Sequence, residues 1–133
     1  MRNILITFFI IFWMAVSIHT IDARAKDEHH PGCNTYKCDK RMRAKNHKKT
    51  VHRWKAITKP YAGWLYKVRM CESHGNYRTN TGNGFYGAYQ FLPSTWRSVG
   101  GSGLPHNATP LEQDYRAVKL RITGGTGHWP ICG

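Results

Sequence analysis

The stretch Met70-Cys71-Glu72-Ser73-His74-Gly75-Asn76-Tyr77 decides the fold, because a helical pattern runs into it and a turn-rich one runs out. Upstream, Tyr61, Trp64, Leu65 and Val68 recur at i, i+3, i+4 and i+7, one face of a helix. Pro60 suits the first position of that helix, where it has no N–H to lose, and Gly75 should stop it. Downstream, residues 75–89 are rich in Gly, Asn and Thr, and Asn83-Gly84 is a turn signal that predicts a short hairpin. Pro93-Ser94-Thr95-Trp96 then starts a helix with Leu92 and Trp96 facing inward, and Gly100-Gly101-Ser102-Gly103 ends it. Thr109-Pro110-Leu111-Glu112 combines a capping box with proline at the first helical position. The helix it opens should bury Leu111, Tyr115, Val118 and Ile122 and stop at Gly124-Gly125. Residues 61–133 therefore read as an α+β domain, mainly helical, with a small irregular or β element.

Acids are scarce in this domain, so their placement is informative: there are three, Glu72, Glu112 and Asp114. Glu112 falls at the third position of its helix and Asp114 in the first turns, where both gain from local capping and the helix dipole. Glu72 has no such employment. It falls at a helix C-terminus, where negative charge is unfavourable, beside a cysteine and among aromatic residues. A carboxyl in an apolar niche has its pKa raised and can donate a proton as a general acid, provided burial outweighs the surrounding positive charge. The alternative is an exposed helix-end Glu72 paired with Arg69 or Arg78.

The whole chain has 133 residues and a formal charge of +13, room for one small domain with extensions. It lacks the length and Gly-rich phosphate loop of a doubly wound nucleotide-binding domain, and has too few acids for a carboxylate-rich metal site. Residues 26–60 hold +8 of the charge, with eleven bases against Asp27, Glu28 and Asp39. With no sustained apolar period, they read as a mobile basic arm or linker, either a solubilising spacer or an electrostatic grip on a polyanion. Residues 1–25 read as a secretory signal: basic Met1-Arg2-Asn3, an apolar run from Ile4 to Ile18, and Ala23-Arg24-Ala25 before cleavage. The expected location is outside the cytoplasm, in the medium, wall or periplasm, with an uncleaved membrane anchor as the alternative. The cysteines Cys33, Cys38, Cys71 and Cys132 then meet an oxidising setting, and three pairings are open. The local one joins Cys33 to Cys38 and Cys71 to Cys132, the long loop contributing about 4 kcal/mol and the short one about 2 in the chain-entropy model. Cys33, Cys38, His47 and His52 also have the residue types of a zinc site, but the middle spacing is short and export favours a disulfide. No metal or cofactor is expected.

Four linked motifs extend this reading: Cys71 to Tyr77; Asn80-Thr81-Gly82-Asn83-Gly84-Phe85-Tyr86-Gly87-Ala88-Tyr89-Gln90-Phe91; Ser94-Thr95-Trp96; and Trp129-Pro130-Ile131-Cys132. Together, and in this order, they resemble the transglycosylase-like domain of resuscitation-promoting factors across about residues 61–133. The Glu-Ser near a helix end followed by Gly-x-x-Gln is also similar to soluble lytic transglycosylases and goose-type lysozymes. The resemblance implies a compact lysozyme-like fold with one stabilising disulfide, Cys71–Cys132. It implies a peptidoglycan substrate cut at the β-1,4 bond between N-acetylmuramic acid and N-acetylglucosamine. Carried over by position, Glu72 matches the catalytic acid, Gln90 and Thr95 polar cleft positions, and Phe85 and Tyr86 an aromatic pair beside the groove. Each has a structural alternative: Gln90 satisfying backbone groups, Thr95 capping a helix, the aromatics lying in the core. Trp64, Trp96 and Trp129 are assigned to packing first. His74 and Ala88 stand where the family usually has Gly, and the segment between Gly103 and Trp129 is shortened, which bears on subsite affinity and pH optimum.

Glycosidases generally use two carboxylates. One unencumbered acid fits a lytic transglycosylase better, with Glu72 acting first as acid and then as base to give a 1,6-anhydro product; water attacking instead would give hydrolysis. The expected partners are peptidoglycan strands and, through the basic arm, anionic wall polymers, with the protein a monomer and no specific nucleic acid. The chief rival is a non-catalytic peptidoglycan-binding module of the same fold. A cationic membrane-active or nucleic-acid-binding protein rests on charge alone.

Overall fold

The computed structural model describes residues 36–133. The expected signal segment, its cleavage site and Cys33 lie outside the described residues. Four α-helices follow among those described: α1 (Tyr36–Thr58), α2 (Ala62–Ser73), α3 (Pro93–Ser98) and α4 (Pro110–Gly124). Short 3-10 turns at Lys59–Tyr61, Pro105–Asn107 and Thr126–His128 lead into or follow them. Residues 41–133 form one compact unit, which carries every element discussed below except the first residues of α1.

Local chemistry accounts for the helix ends. Proline occupies the first turn of α3, of α4 and of the 3-10 turn before α2, where a missing N–H costs nothing. Thr109 caps α4, its hydroxyl accepting the Glu112 N–H at 3.2 Å. The reciprocal half of the capping box is replaced: the Glu112 carboxylate instead takes Arg116 at 3.3 Å, one turn on. α2 closes with His74 in the left-handed region (φ 54°) and the Gly75 N–H donating to the Arg69 carbonyl at 2.9 Å. After it, antiparallel bridges join Asn80 to Tyr86 and Tyr86 to Phe91, the small β element expected around Asn83-Gly84.

The basic segment differs from expectation. Residues 36–58, read as part of a mobile arm, are the long helix α1. Tyr36 to Thr58 contains neither Gly nor Pro and is rich in Lys and Arg, so propensity favours a helix where apolar periodicity is silent. Its C-terminal end is anchored. Trp54 stacks on Tyr115 of α4 at 5.0 Å and 15°, the Arg116 guanidinium lies 5.7 Å from the Trp54 ring, Ile57 packs on the core, and Thr58 is buried.

The core is aromatic. Tyr89, Phe91, Trp96 and Trp129 meet edge to face, with Phe91 5.3 Å from Trp96 and 5.9 Å from Trp129, and the Trp129 indole N–H donates to the Tyr89 carbonyl at 2.9 Å. Trp64 reaches this cluster through Trp129 at 5.3 Å. Gly101 closes against Trp96, and a Cβ there would overlap the indole. The Cys71–Cys132 disulfide ties the end of α2 to the C-terminal segment. The fold is thus mainly helical and lysozyme-like with one such tie in the domain.

Two inward-facing assignments change. Tyr115 and Val118 are buried and Leu111 half-buried, but Ile122 is 62% exposed; the buried face of α4 runs instead through Gln113, Arg116, Ala117 and Leu120. A glutamine and an arginine hold that face because each finds partners there, which hydrophobic spacing does not detect. Leu92 is likewise 42% exposed, while Trp96 is fully buried.

Candidate functional site

Glu72 occupies the last turn of α2, between two fixed neighbours. Cys71 is held by its disulfide to Cys132. The Ser73 hydroxyl donates to the Arg69 carbonyl at 3.1 Å and to the Ala88 carbonyl at 2.9 Å. The backbone of Glu72 is therefore pinned to the C-terminal segment on one side and to the Gly87–Gln90 turn on the other. Its side chain is half-buried, and among the described residues its carboxyl has no hydrogen-bond or ion-pair partner. Burial pushes its pKa above the usual carboxylate value, with no neighbouring charge contributing. The pairing with Arg69 or Arg78 that the sequence left open is not formed.

The turn facing Ser73 is built with equal constraint. Gly87 has φ 75°, and a Cβ on it would overlap the amide of Gln113. Gln113 is fully buried and spends its whole amide on backbone: its Oε1 accepts the Ala88 N–H at 2.9 Å, and its Nε2 donates to the carbonyls of Tyr77 at 3.0 Å and Ala108 at 3.3 Å. Gln90 adopts φ 50°, a left-handed conformation uncommon for a residue with a side chain, and its Nε2 donates to the Gly87 carbonyl at 3.0 Å. Its amide nitrogen thus serves the turn.

The other candidates lie on neighbouring segments. Tyr86 exchanges backbone hydrogen bonds with Phe91 at 3.0 and 2.9 Å, and its ring stacks on His106 at 5.3 Å. Phe85, beside it, is 41% exposed, an apolar ring facing solvent. Thr95 sits in the first turn of α3; Leu92, not Thr95, is the N-cap, and the Thr95 hydroxyl has no protein partner among the described residues. The Ser73–Ala88 and Tyr86–Phe91 bonds bring the backbones of Glu72, Gln90 and Tyr86 into one connected region. Among the described residues none of the five candidate side chains bonds another.

Sequence reading missed the residues that hold this region together. Gln113 gave no local signal beyond its place on α4. Asp114, assigned to the helix dipole, instead accepts the hydroxyls of Tyr77 at 2.7 Å and Tyr89 at 2.6 Å. Cys38 is disulfide-bonded, which removes its thiolate from the zinc set considered with His47 and His52. Among the described residues no cluster of His, Cys, Asp and Glu could hold a metal ion.

A family model described as the transglycosylase-like domain matches residues 61–132. The chain belongs to that family. Resuscitation-promoting factor Rpf of Micrococcus luteus is 53% identical over 66 residues, which cover 50% of this chain and 30% of that protein. Resuscitation-promoting factors RpfE and RpfC of Mycobacterium tuberculosis are each 46% identical over 66 residues, half of this chain and 38% and 47% of those proteins. The chain thus matches less than half the length of each of these relatives.

Proposed function

We propose that this protein is a secreted enzyme that cleaves peptidoglycan at the β-1,4 bond between N-acetylmuramic acid and N-acetylglucosamine, as a lytic transglycosylase with Glu72 as acid and then base. The observation that carries this reading is the Glu72 carboxyl: unpaired, half-buried, raised in pKa by burial, and fixed on both sides at the end of α2. Membership of the transglycosylase-like family supports glycosidic cleavage as the class of reaction. In the first step Glu72 gives its proton to the glycosidic oxygen as the bond to C1 of the muramic acid breaks. In the second, the Glu72 carboxylate takes the proton of the same sugar's 6-hydroxyl as that oxygen bonds to C1. The acid is regenerated and no water is consumed. Among the side chains carried over with it, Phe85 offers an exposed apolar ring and Thr95 an unpartnered hydroxyl for sugar contacts.

Residues 1–25 would direct export, with cleavage after Ala25, leaving a monomeric protein that needs no cofactor. α1 then supplies the contact with anionic wall polymers. Arg41, Lys45, Lys48, His52 and Lys55 are all exposed and recur every three or four residues, on the side of the helix turned away from Trp54 and Ile57. Incubating the wild type and Glu72→Gln with purified sacculi tests the enzymatic reading. The wild type should release soluble muropeptides and the variant none. Wall binding by the wild type without release would favour a binding module instead.

A further inference from the structure

His106 is not one of the five candidate residues, yet the fold fixes it against one of them. Its ring stacks on Tyr86, with centroids 5.3 Å apart and planes 24° from parallel. The 3-10 turn that carries it is tied at both ends: the Asn107 N–H donates to the Leu104 carbonyl at 3.1 Å, and the Ala108 N–H to the Pro105 carbonyl at 2.9 Å. Pro105 is fully buried and lies against Gly87, where a Cβ would stand 3.4 Å from the proline Cβ. One amide joins this turn to the turn facing Ser73, since Gln113 accepts the Ala88 N–H at 2.9 Å and donates to the Ala108 carbonyl at 3.3 Å. The Ala88 carbonyl in its turn accepts the Ser73 hydroxyl at 2.9 Å, next to Glu72. An unbroken series of contacts thus runs from the neighbour of Glu72 to the turn that carries His106.

Packing does not account for a histidine at this position. A phenyl ring would also stack on Tyr86, whereas the imidazole leaves Nδ1 buried with no hydrogen-bond partner. An unsatisfied polar atom is a cost to the fold, and it points to a use for the rest of the ring. Nε2 is not enclosed, nor is the Tyr86 hydroxyl, and among the described residues neither has a partner in the protein. A buried N–H without an acceptor is the rarer kind of orphan, so a neutral ring carries its proton on Nε2. Nε2 is then a donor in the neutral ring as in the charged one. We propose that His106 is a substrate-binding residue: stacked on Tyr86, it gives its Nε2–H to a hydroxyl or N-acetyl oxygen of the glycan. The proposal rests on the reading of this region as a peptidoglycan cleft. Stacked rings edged with two free polar atoms suit an amino sugar, whose pyranose face is apolar and whose rim carries hydroxyls and an amide. Phe85 adds an exposed apolar ring one residue from Tyr86.

The test is equilibrium binding of soluble, uncross-linked peptidoglycan strands to the full chain carrying Glu72→Gln, so that no cleavage intervenes, run beside thermal melts. His106→Phe keeps the stack, removes the Nε2 donor and removes the stranded Nδ1. It should weaken strand binding by about three- to tenfold, the worth of one hydrogen bond, while melting at or above its parent. A residue kept for packing would show the reverse, a lower Tm with binding unchanged. His106→Gln can place an amide nitrogen about where Nε2 stands, without the ring. It should bind strands more tightly than His106→Ala, and this pair serves if His106→Phe does not fold. Unchanged strand binding in folded His106→Phe overturns the proposal, as does a loss of binding matched by a fall in Tm, or His106→Gln binding no better than His106→Ala. If the Glu72→Gln parent binds no strands, the peptidoglycan reading falls and this proposal with it. If His106 governs strand binding but the wild type releases no muropeptides, the role of His106 stands and cleavage is what falls.

Discussion

Burial disfavours the charge on Glu72, and its place in the last turn of α2 adds the negative end of the helix dipole. The folded protein therefore binds this proton more tightly than the unfolded chain does. With the folded pKa raised, the contribution to stability is fullest below the unfolded value and is lost as pH rises through the folded one. Glu72→Gln has no charge to bury, so at pH 7 it should melt above the wild type, with the gain shrinking below about pH 4. Thermal melts at the two pH values read this out, and an equal or lower Tm at pH 7 would mean that the carboxylate has found a cation. The same sign governs catalysis: activity should fall as pH rises through the raised Glu72 value. Gln113 makes the complementary case, a polar side chain that belongs in the core. Gln113→Ala strands the Ala88 N–H and the Tyr77 carbonyl, and should cost at least about 2 kcal/mol in urea denaturation. Glu72 was legible in the sequence because the other two acids of the domain had local explanations. Asp114 and Gln113 were not, because their partners stand 25 to 37 residues away and leave no periodic trace.

At the scale of elements, turn and cap chemistry proved readable and buried faces less so. Pro93, Thr109-Pro110 and Gly75 mark helix ends because each acts through its own backbone or its near neighbours. The face of α4 was misjudged at Ile122 because the rule scores apolar spacing, whereas this helix buries an amide and a guanidinium that find partners, Arg116 donating to the Val99 carbonyl at 2.6 Å. α1 escaped notice for the converse reason. It needs no full apolar stripe, since strong helix formers carry it and Trp54 docks its end on Tyr115. The regular spacing of its exposed bases exists only because the segment is helical. Replacing Arg41, Lys45, Lys48 and Lys55 by Gln should reduce retention on isolated walls at low ionic strength and flatten its dependence on salt. Co-sedimentation across a salt series measures this, and retention unchanged by the four substitutions would leave α1 as a spacer.

Across the whole molecule, a charge of +13 over 133 residues divides unevenly. The greater part lies before residue 61, and the domain itself keeps a modest excess of bases around three acids, each with a distinct task. Glu112 steadies Arg116 on α4, Asp114 gathers Tyr77 and Tyr89, and Glu72 is left unpaired. The disulfide from Cys71 to Cys132 closes a loop whose sequence separation is 61 residues, for which the chain-entropy model gives about 4 kcal/mol, and it does so beside the residue whose placement matters most. Stability and the candidate chemistry thus share one anchor. The most direct test is mass spectrometry of the muropeptides released from purified sacculi by the wild type and by Glu72→Gln. The account predicts glycan ends lighter by one water, the 1,6-anhydro form, from the wild type and no release from the variant; release by Glu72→Gln at the wild-type rate would contradict it.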